Sequence, residues 1–221
     1  MIKKTLVAPS LLAANPACLG EEMRDIETNG ANWFHIDVMD GVFVSNLSFG
    51  AHIVEGLRQV SPLFFDVHLM TIHPERHAEA FIKAGADALT VHVEACDYDT
   101  IMNLAQKCKQ RGVKFGLSLC PETPVERVSE FASVLDILLV MSVNPGYGNQ
   151  AFIENSPQRI KQAKNLLEKT DRKFLISVDG GINPETAALC RDAGADVLVS
   201  GSYIFGAPNR KDSIERIRGL Y

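Results

Sequence analysis

Three short stretches of the sequence place metal-binding or proton-transferring side chains among hydrophobic residues. They run from His35 to Gly41, from Asp66 to Met70 and from Leu175 to Gly181. Successive side chains of a β-strand point to opposite faces, so His35, Asp37 and Met39 share one face of the first stretch. We interpret the three stretches as strands whose ends meet in one site.

The second and third stretches complete a set of candidate metal ligands. Asp66 and His68 share a face of the second stretch, and the third stretch ends its hydrophobic run on a carboxylate. The candidate ligands are His35, Asp37, His68 and Asp179. Nitrogen and oxygen ligands without cysteine fit Zn²⁺, Fe²⁺, Mn²⁺ or Co²⁺. The spacing alone leaves open a second interpretation, in which the two histidines are hydrogen-bonded core residues.

Glycine-rich turns follow the last three predicted strands. They are Asn144–Gln150, Gly180-Gly181 and Gly201-Ser202. Glycine lets backbone N–H groups approach an anion, and the N-terminus of a following helix adds positive potential. Ordinary turn geometry is the alternative for any one of these turns. Three of them after neighbouring strands favour a phosphate site.

The composition excludes several classes of protein. The 221 residues suffice for one large domain with a substantial core, which we place at residues 1–221. A net charge of −5 without a basic block argues against a nucleic-acid partner. No apolar run reaches the ~18 residues of a membrane helix, so we expect no membrane partner. Five scattered cysteines without CxxC spacing fit free thiols in a reducing cytoplasm.

Short apolar strands alternate with amphipathic helices along the whole sequence. The predicted strands are residues 5–9, 33–39, 63–70, 88–93, 113–119, 137–143, 174–179 and 197–201. The predicted helices are residues 19–29, 50–59, 74–84, 97–111, 124–132, 156–169, 184–193 and 210–218. Strands buried on both faces and joined by helices form parallel sheets. Eight such units favour an α/β fold, a (β/α)8 TIM barrel whose active site lies at the C-terminal strand ends. A doubly wound open sheet is the alternative, although no GxGxxG follows the first strand.

Seven motifs occur in a fixed order between residues 8 and 206. They are Ala8-Pro9-Ser10-Leu11-Leu12, the stretch from His35 to Gly41, Asp66-Val67-His68-Leu69-Met70, Pro121-Glu122-Thr123-Pro124, Met141-Ser142-Val143-Asn144-Pro145-Gly146, Val178-Asp179-Gly180-Gly181 and Gly201-Ser202. This set resembles the ribulose-phosphate 3-epimerase family over nearly the whole chain. The resemblance implies a single-domain, phosphate-binding TIM barrel that converts D-ribulose 5-phosphate to D-xylulose 5-phosphate.

The resemblance also implies a role for each site residue. Asp37 and Asp179 match the two acid/base residues, and one divalent cation is bound by His35, Asp37, His68 and Asp179. The residues that match substrate contacts are Ser10, His68, Gly146, Tyr147, Gly148, Asn149, Asp179, Gly180, Gly181, Gly201 and Ser202. Met39, Met70 and Met141 match methionines that lie over the enediolate. We further expect a phosphosugar as the substrate and a homo-oligomer as the assembly.

The implied reaction explains why two carboxylates are needed. Epimerisation at C3 of a 2-ketose removes the proton beside the carbonyl and returns one to the opposite face. One base does not easily serve both faces, so two carboxylates on opposite sides are expected. A bound cation would stabilise the negative charge of the enediolate. The phosphate would anchor the substrate at a distance from the reacting carbon.

The sequence departs from the family pattern at a few positions. Tyr147 and Asn149 stand where the family has Phe and Gly, Ser45 stands for Pro, and Cys120 stands for Asn. If the chain needs a positive φ at position 149, Asn is the side chain that best tolerates it. These changes spare the metal ligands but leave a ketohexose phosphate such as D-allulose 6-phosphate open as the substrate.

Two more distant alternatives are disfavoured by individual residues. A non-catalytic phosphosugar-binding barrel would be indicated by loss of Asp37 or Asp179, and both are present. A decarboxylase or an indole-forming synthase would need a lysine at the C-terminal end of a strand, and no predicted strand carries one. His73 and His77 are spaced four apart on a predicted helix, where we expect them on a solvated face.

Overall fold

The fold is known from a computed structural model that describes residues 5–170 and 173–220. The strands are β1 (Leu6–Pro9), β2 (Trp33–Met39), β3 (Phe64–Met70), β4 (Ala88–His92), β5 (Lys114–Leu119), β6 (Ile137–Met141), β7 (Leu175–Asp179) and β8 (Val197–Ser200). The α-helices are α1 (Leu19–Thr28), α2 (Ala51–Arg58), α3 (Pro74–Lys83), α4 (Tyr98–Arg111), α5 (Ser156–Glu168), α6 (Pro184–Ala193), α7 (Ser202–Phe205) and α8 (Arg210–Arg218). The eight predicted strands are confirmed, each with ends within two residues of those expected.

The strands form one parallel sheet that curls into a nearly closed barrel. Their order is β1-β8-β7-β6-β5-β4-β3-β2, so each strand lies beside its neighbour in sequence and β1 pairs with β8. At the remaining seam, a parallel bridge joins Ser10 to His35. The barrel prediction is therefore confirmed and the open doubly wound sheet is excluded. Because all strands run the same way, their C-terminal ends share one rim.

The strand register sets which side chains meet at that rim. In β2 and β3, His35 is the partner of Asp66, and Asp37 is the partner of His68. Across the barrel, Met141 of β6 pairs with Asp179 of β7. The side chains that alternate with these residues point outward and pack against the helices in the main hydrophobic core. Because of this register, alternate side chains form a polar interior at the C-terminal end of the barrel and an apolar layer outside it.

An apolar cluster fills the barrel below the polar side chains. Its buried members are Ala8, Trp33, Ala88, Ile137, Val197 and Val199. Trp33 stacks on Phe64 with ring centroids 4.3 Å apart. Side chains of this size close the interior of an eight-stranded barrel, so access to the polar residues is from the C-terminal rim.

Three Gly-Ala-Asx turns hold the opposite rim of the barrel. They are Gly30-Ala31-Asn32, Gly85-Ala86-Asp87 and Gly194-Ala195-Asp196, and the glycine of each has a positive φ. The side chain of each final residue accepts a backbone N–H at a strand start. The pairs are Val7 to Asn32 at 3.0 Å, Phe65 to Asp87 at 2.8 Å and Ile176 to Asp196 at 2.9 Å. These turns satisfy strand N–H groups that lie away from the site.

One predicted helix is a different kind of helix. Residues 124–132 were expected to form an α-helix, but Val125–Phe131 is a 3-10 helix. Its buried residues, Val125, Val128 and Phe131, recur every third position. That spacing matches the three residues per turn of a 3-10 helix and not the 3.6 of an α-helix. Among the helices that the structure describes, none is long and apolar enough to cross a membrane.

Candidate active site

A cavity of about 570 Å³ opens at the C-terminal rim of the barrel. Most of the residues predicted for the site line it. They are Ser10, Asp37, Met39, Met70, Met141, Gly146, Tyr147, Gly148, Asn149, Asp179, Gly180, Gly181, Gly201 and Ser202. His35 and His68 are fully buried directly beneath it. The sequence-predicted residues therefore converge on one place.

The four predicted metal ligands form a compact cluster beneath the cavity. His35 Nε2 lies 3.3 Å from Asp37 Oδ1 and 3.9 Å from Asp179 Oδ2. His68 Nδ1 lies 3.2 Å from the same Asp37 oxygen. One ligand atom from each of the four residues lies within 4.8 Å of every other. A single cation can contact all four atoms at this spacing.

The hydrogen bonding of His35 fits such a cation. Its Nδ1 lies 2.9 Å from Asp66 Oδ2, which favours the hydrogen on Nδ1, and in the neutral ring the lone pair is then on Nε2. Nε2 is buried and makes no hydrogen bond. An unsatisfied buried nitrogen is costly unless a ligand takes its lone pair. A carboxylate that orients a histidine from behind is the usual arrangement around a metal. The residues present therefore fit a divalent cation.

Burial and nearby charges shift the pKa values of the two carboxyl groups that line the cavity in opposite directions. Burial raises the pKa of Asp179 to about 7, and the negative charge of Asp37 adds to this effect. Burial also acts on Asp37, but His35 and His68 outweigh it and hold the pKa of Asp37 below its usual value. Two carboxyl groups at one site thus differ in how readily they hold a proton, as an acid and a base must.

Burial and nearby charges also shift the pKa values of the two histidines in opposite directions. Burial opposes protonation of His35, but the charges of Asp37 and Asp66 raise its pKa well above the usual value. Burial lowers the pKa of His68 to about 4. His68 is therefore neutral near pH 7 and carries one ring hydrogen.

Glycine backbone forms the wall across the cavity. Gly146, Gly180 and Gly181 have positive φ values, and so does Asn149 with a φ of 58°. A Cβ on Gly181 would lie 2.8 Å from the backbone nitrogen of Phe152. The short helix α7 begins at Ser202 beside this wall. Loops after the last strands and a short extra helix are where phosphate-binding barrels hold their anion.

Comparison with known proteins identifies the family. The sequence model described as "Ribulose-phosphate 3 epimerase family" matches residues 6–205. This chain belongs to the ribulose-phosphate 3-epimerase family. It is 48% identical over 214 residues to the ribulose-phosphate 3-epimerase of Bacillus subtilis strain 168, which covers 96% of this chain and 98% of that protein. It is 41% identical to the chloroplastic ribulose-5-phosphate-3-epimerase of Arabidopsis thaliana, over 97% of this chain and 75% of that protein.

Solved structures agree on the fold at much lower identity. A structure of KGPDC from Streptococcus mutans superposes with a TM-score of 0.73 at 15% identity, covering 97% of this chain and 96% of that one. A tryptophan synthase α-subunit from Pyrococcus furiosus gives 0.71 at 17% identity, covering 99% and 100%. At these identities the likeness concerns the barrel alone. The family match makes the chain a carbohydrate epimerase, while the distant structures share only its scaffold.

Three methionines of the epimerase line the cavity. Met39 and Met70 pack together with Val44, and Met141 packs with Leu139 and Val143. All three methionines are at most 5% exposed and reach the cavity lining. Their thioethers give the cavity a soft, aprotic surface beside the carboxylates.

Two departures from the family pattern meet in the epimerase structure. Ser45 follows β2 and Tyr147 follows β6, and their hydroxyl oxygens lie 3.1 Å apart. Beside them, Asn46 Nδ2 donates to the carbonyl oxygen of Gly146 at 3.1 Å. Asn149 has a positive φ, the conformation that Asn tolerates best among side chains. The altered residues therefore join the two loops on either side of the cavity mouth.

Sequence reasoning missed the residues that stand behind the ligands. Asp66 was recognised as sharing a face with His68, but its contact with His35 was not predicted. His92 was left without a role, yet its Nε2 lies 2.9 Å from His68 Nε2. Both contacts cross between strands, so only the strand register could have found them. His73 and His77 are both exposed to solvent as expected, although His73 immediately precedes α3 and only His77 lies on the helix.

Proposed function

We propose that the protein is a metal-dependent epimerase that interconverts D-ribulose 5-phosphate and D-xylulose 5-phosphate. The observation that carries the proposal is the position of two carboxyl groups. Asp37 and Asp179 line the same cavity, and both lie within 4 Å of His35 Nε2. The names of the similar proteins favour a pentose phosphate over a ketohexose phosphate.

In this proposal the two carboxyl groups exchange hydrogen with C3 from opposite faces. One removes the hydrogen beside the carbonyl, and the other delivers a hydrogen to the opposite face, so the configuration inverts. The roles reverse in the reverse reaction. Ser10 Oγ donates to Asp37 Oδ2 at 2.7 Å, which holds the Asp37 carboxylate in place at the cavity wall. Ser10 is the proposed substrate contact on this side. His68, which was also expected to contact the substrate, is fully buried beneath the cavity and is proposed only as a cation ligand.

The proposed cation site consists of His35, Asp37, His68 and Asp179. The nitrogen ligands are His35 Nε2 and His68 Nδ1, since these atoms face the carboxylates. Zn²⁺, Fe²⁺, Mn²⁺ and Co²⁺ all accept such a ligand set. A bound cation supplies positive charge that stabilises the enediolate oxygens. The buried Nε2 of His35, which makes no hydrogen bond, supports this assignment.

The glycine wall is the proposed phosphate site. Its members are Gly146, Tyr147, Gly148, Asn149, Gly180, Gly181, Gly201 and Ser202. An ideal Cβ on Gly148 would lie 3.9 Å from Ser202 Oγ, so these two loops face each other closely enough to hold one anion. Binding energy from the phosphate then places C3 between the carboxyl groups. Met39, Met70 and Met141 would cover the reacting carbons and exclude water.

Substitution of each carboxylate tests the two-base scheme. Asp37→Asn and Asp179→Asn should each lower kcat at least ~10²-fold, the low end for removing an acid–base residue. Asp196→Asn is the matched control, because Asp196 is a buried carboxylate at the opposite rim. Elemental analysis of each variant separates loss of the base from loss of the metal. Near-normal turnover of either site variant would refute the scheme.

The substrate is tested separately with the wild-type protein. We expect kcat/KM for D-ribulose 5-phosphate to exceed that for D-allulose 6-phosphate, and the reverse order would replace the pentose by the hexose. A cytoplasmic location and a homo-oligomeric assembly remain predictions, and light scattering of the purified protein tests the second.

A further inference from the structure

We propose that His92 and Glu94 are positioning residues of the metal site. They hold the single ring hydrogen of His68 on Nε2 and thereby keep the Nδ1 lone pair free for the cation. This inference rests on the metal-dependent function proposed above. It gives a role to two residues that neither line the cavity nor contact the proposed substrate.

A line of hydrogen-bonding atoms leads from the metal site to the barrel surface. His68 Nε2 lies 2.9 Å from His92 Nε2, and His92 Nδ1 lies 3.1 Å from Glu94 Oε2. The two imidazole rings are 4.9 Å apart and nearly parallel, with an angle of 30°. Both histidines are fully buried, so bulk water does not reach these nitrogens. The partners at each nitrogen therefore decide where the ring hydrogens lie. His92 Nδ1 also lies 3.5 Å from Cys120 Sγ, but the Glu94 carboxylate is the nearer and stronger acceptor.

Glu94, at the outer end of this line, decides which nitrogen of each histidine carries the ring hydrogen. An ionised carboxylate only accepts hydrogen bonds, so the contact with Glu94 requires the hydrogen on His92 Nδ1. Burial opposes ionisation of Glu94, but hydrogen bonds from His92, Thr123 and the backbone N–H of Cys120 lower its pKa to about 2. The His92 tautomer that has its hydrogen on Nδ1 presents a lone pair on Nε2 to His68. Only one hydrogen fits between two nitrogens 2.9 Å apart, so His68 must supply it from its own Nε2.

The result is a convergence of lone pairs at the metal site. His68 Nδ1 faces Asp37 Oδ1 at 3.2 Å, and with its hydrogen on Nε2 it has none to donate to that oxygen. His35 presents Nε2 to the same oxygen at 3.3 Å because Asp66 takes its other hydrogen. Two imidazoles are thus oriented from behind by two different carboxylates. When both rings are in these neutral tautomers, their lone pairs and the Asp37 oxygen converge on one point, where a cation can bind them.

The same reasoning excludes a second metal site at His92, Glu94 and Cys120 while the first site is occupied. His92, Glu94 and Cys120 also offer ligand atoms within 4.8 Å of one another. A cation on His92 Nδ1 would move the hydrogen of His92 to Nε2 and force the hydrogen of His68 to Nδ1, where it blocks the first site. Burial and the charge of Glu94 raise the pKa of the Cys120 thiol to about 12, so the thiol stays protonated. The two clusters therefore cannot both bind metal in this hydrogen-bond arrangement.

Zn²⁺ affinity of the metal-free full-length protein tests the proposal. We expect His92→Phe and Glu94→Gln to weaken Zn²⁺ binding by about 10–100-fold in competition with a chelator. Cys120→Ala is the matched control from the same cluster and should bind Zn²⁺ within about twofold of wild type. His92→Gln places an amide oxygen opposite His68 Nε2 and should recover part of the lost affinity.

Nitrogen NMR of histidine-labelled protein provides a readout that a loss of packing would not give. In the wild type, the ring hydrogen of His68 should be on Nε2, and in Glu94→Gln it should be shared between Nδ1 and Nε2. The Glu94 side chain is 24% exposed, so this variant retains the fold if His92→Phe does not.

Three results would overturn the proposal. They are wild-type affinity in both His92→Phe and Glu94→Gln, an unchanged His68 hydrogen position in Glu94→Gln, and a loss in Cys120→Ala as large as in His92→Phe. A wild-type protein that binds no Zn²⁺, Fe²⁺, Mn²⁺ or Co²⁺ would overturn the metal-dependent function as well. That outcome is distinct, because it appears before any substitution is made.

Discussion

Asp37 is the residue at which the separate parts of the site meet. Its Oδ1 faces His35 and His68, and its Oδ2 accepts the hydroxyl hydrogen of Ser10. The backbone carbonyl of Asp37 accepts a further hydrogen bond from Ser48. One side chain thus takes part in cation binding, proton transfer and the closure of the barrel seam. Substitution of Asp37 will affect all three, so its neighbours are better probes of each role.

Asp66→Asn isolates the orientation of His35. The amide keeps the size of the side chain but removes the charge that faces His35 Nδ1 at 2.9 Å. We expect Zn²⁺ affinity to fall by about 10–100-fold, the usual effect of losing a partner behind a metal ligand. Competition with a fluorescent chelator measures it. Asp196→Asn should lower thermal stability while leaving Zn²⁺ affinity unchanged, and equal affinities in Asp66→Asn and wild type would contradict the role given to Asp66.

At the scale of elements, the loops after β2 and β6 are joined across the cavity mouth. The Ser45–Tyr147 hydroxyl contact is partly exposed, so its net contribution is modest, about 0.5–1.5 kcal/mol. We expect Tyr147→Phe and Ser45→Ala each to raise KM for the phosphosugar by about 2–5-fold. The double variant should be no worse than either single variant, because both remove the same contact. Additive effects on KM would show that the two hydroxyls act independently.

The turn after β7 has no room for a side chain at Gly181. Gly181→Ala combines a φ of 63° with a Cβ only 2.8 Å from a backbone nitrogen. The backbone must shift, at a cost of about 1–3 kcal/mol, so we expect KM to rise about tenfold or more. Gly112→Ala is the control, because its φ is 70° but nothing lies within 4 Å of its Cβ. It should lower stability by about 1 kcal/mol without changing the steady-state kinetics, and equal KM values for the two variants would contradict the phosphate assignment.

The sequence predicted most elements because each carries its own local signal. Strands buried on both faces are continuous apolar runs, and helices begin at Pro74 and Pro184 and end before Gly85 and Gly194. A proline at its start is compatible with either kind of helix, so only the three-residue spacing of Val125, Val128 and Phe131 distinguishes the 3-10 helix from the expected α-helix. The short helix α7 has too few residues to produce a periodic pattern.

The site was predicted only as far as single strands could show it. Alternation within β2 and β3 gave His35, Asp37 and His68 a common direction, and the glycine pairs marked the opposite wall. The contacts of His35 with Asp66 and of His68 with His92 depend on how neighbouring strands are aligned. Register is a property of the folded sheet, so these partners could not be read from spacing along one strand.

At the scale of the whole molecule, the two rims of the barrel have separate tasks. The lower rim holds the Gly-Ala-Asx turns and the apolar cluster, while the upper rim gathers buried carboxylates and imidazoles. Buried groups of like charge are costly to fold, and a bound cation offsets that cost. Metal binding should therefore stabilise the folded protein in addition to supporting its activity.

Metal removal tests this link between site and stability. Saturation at 100 times the dissociation constant adds about 2.7 kcal/mol to the free energy of unfolding. For a domain of this size we expect Tm to fall by about 5–10 °C in strong chelator, together with loss of activity, and to recover with added divalent cation. Asp37→Asn should show a much smaller shift. Unchanged Tm and full activity in chelator would exclude a functional metal.

Because the lower interior is filled, water approaches the two carboxyl groups from the upper rim alone, and it reaches them unequally. The Asp37 side chain is 5% exposed and the Asp179 side chain 17%. A deuteron that Asp37 takes from carbon is sheltered and can be handed back before it is diluted, whereas one taken by Asp179 is lost to solvent sooner. The two C3-deuterated epimers should therefore differ when the starting sugar is re-isolated after partial reaction. The epimer deprotonated by Asp37 should retain more deuterium than the epimer deprotonated by Asp179.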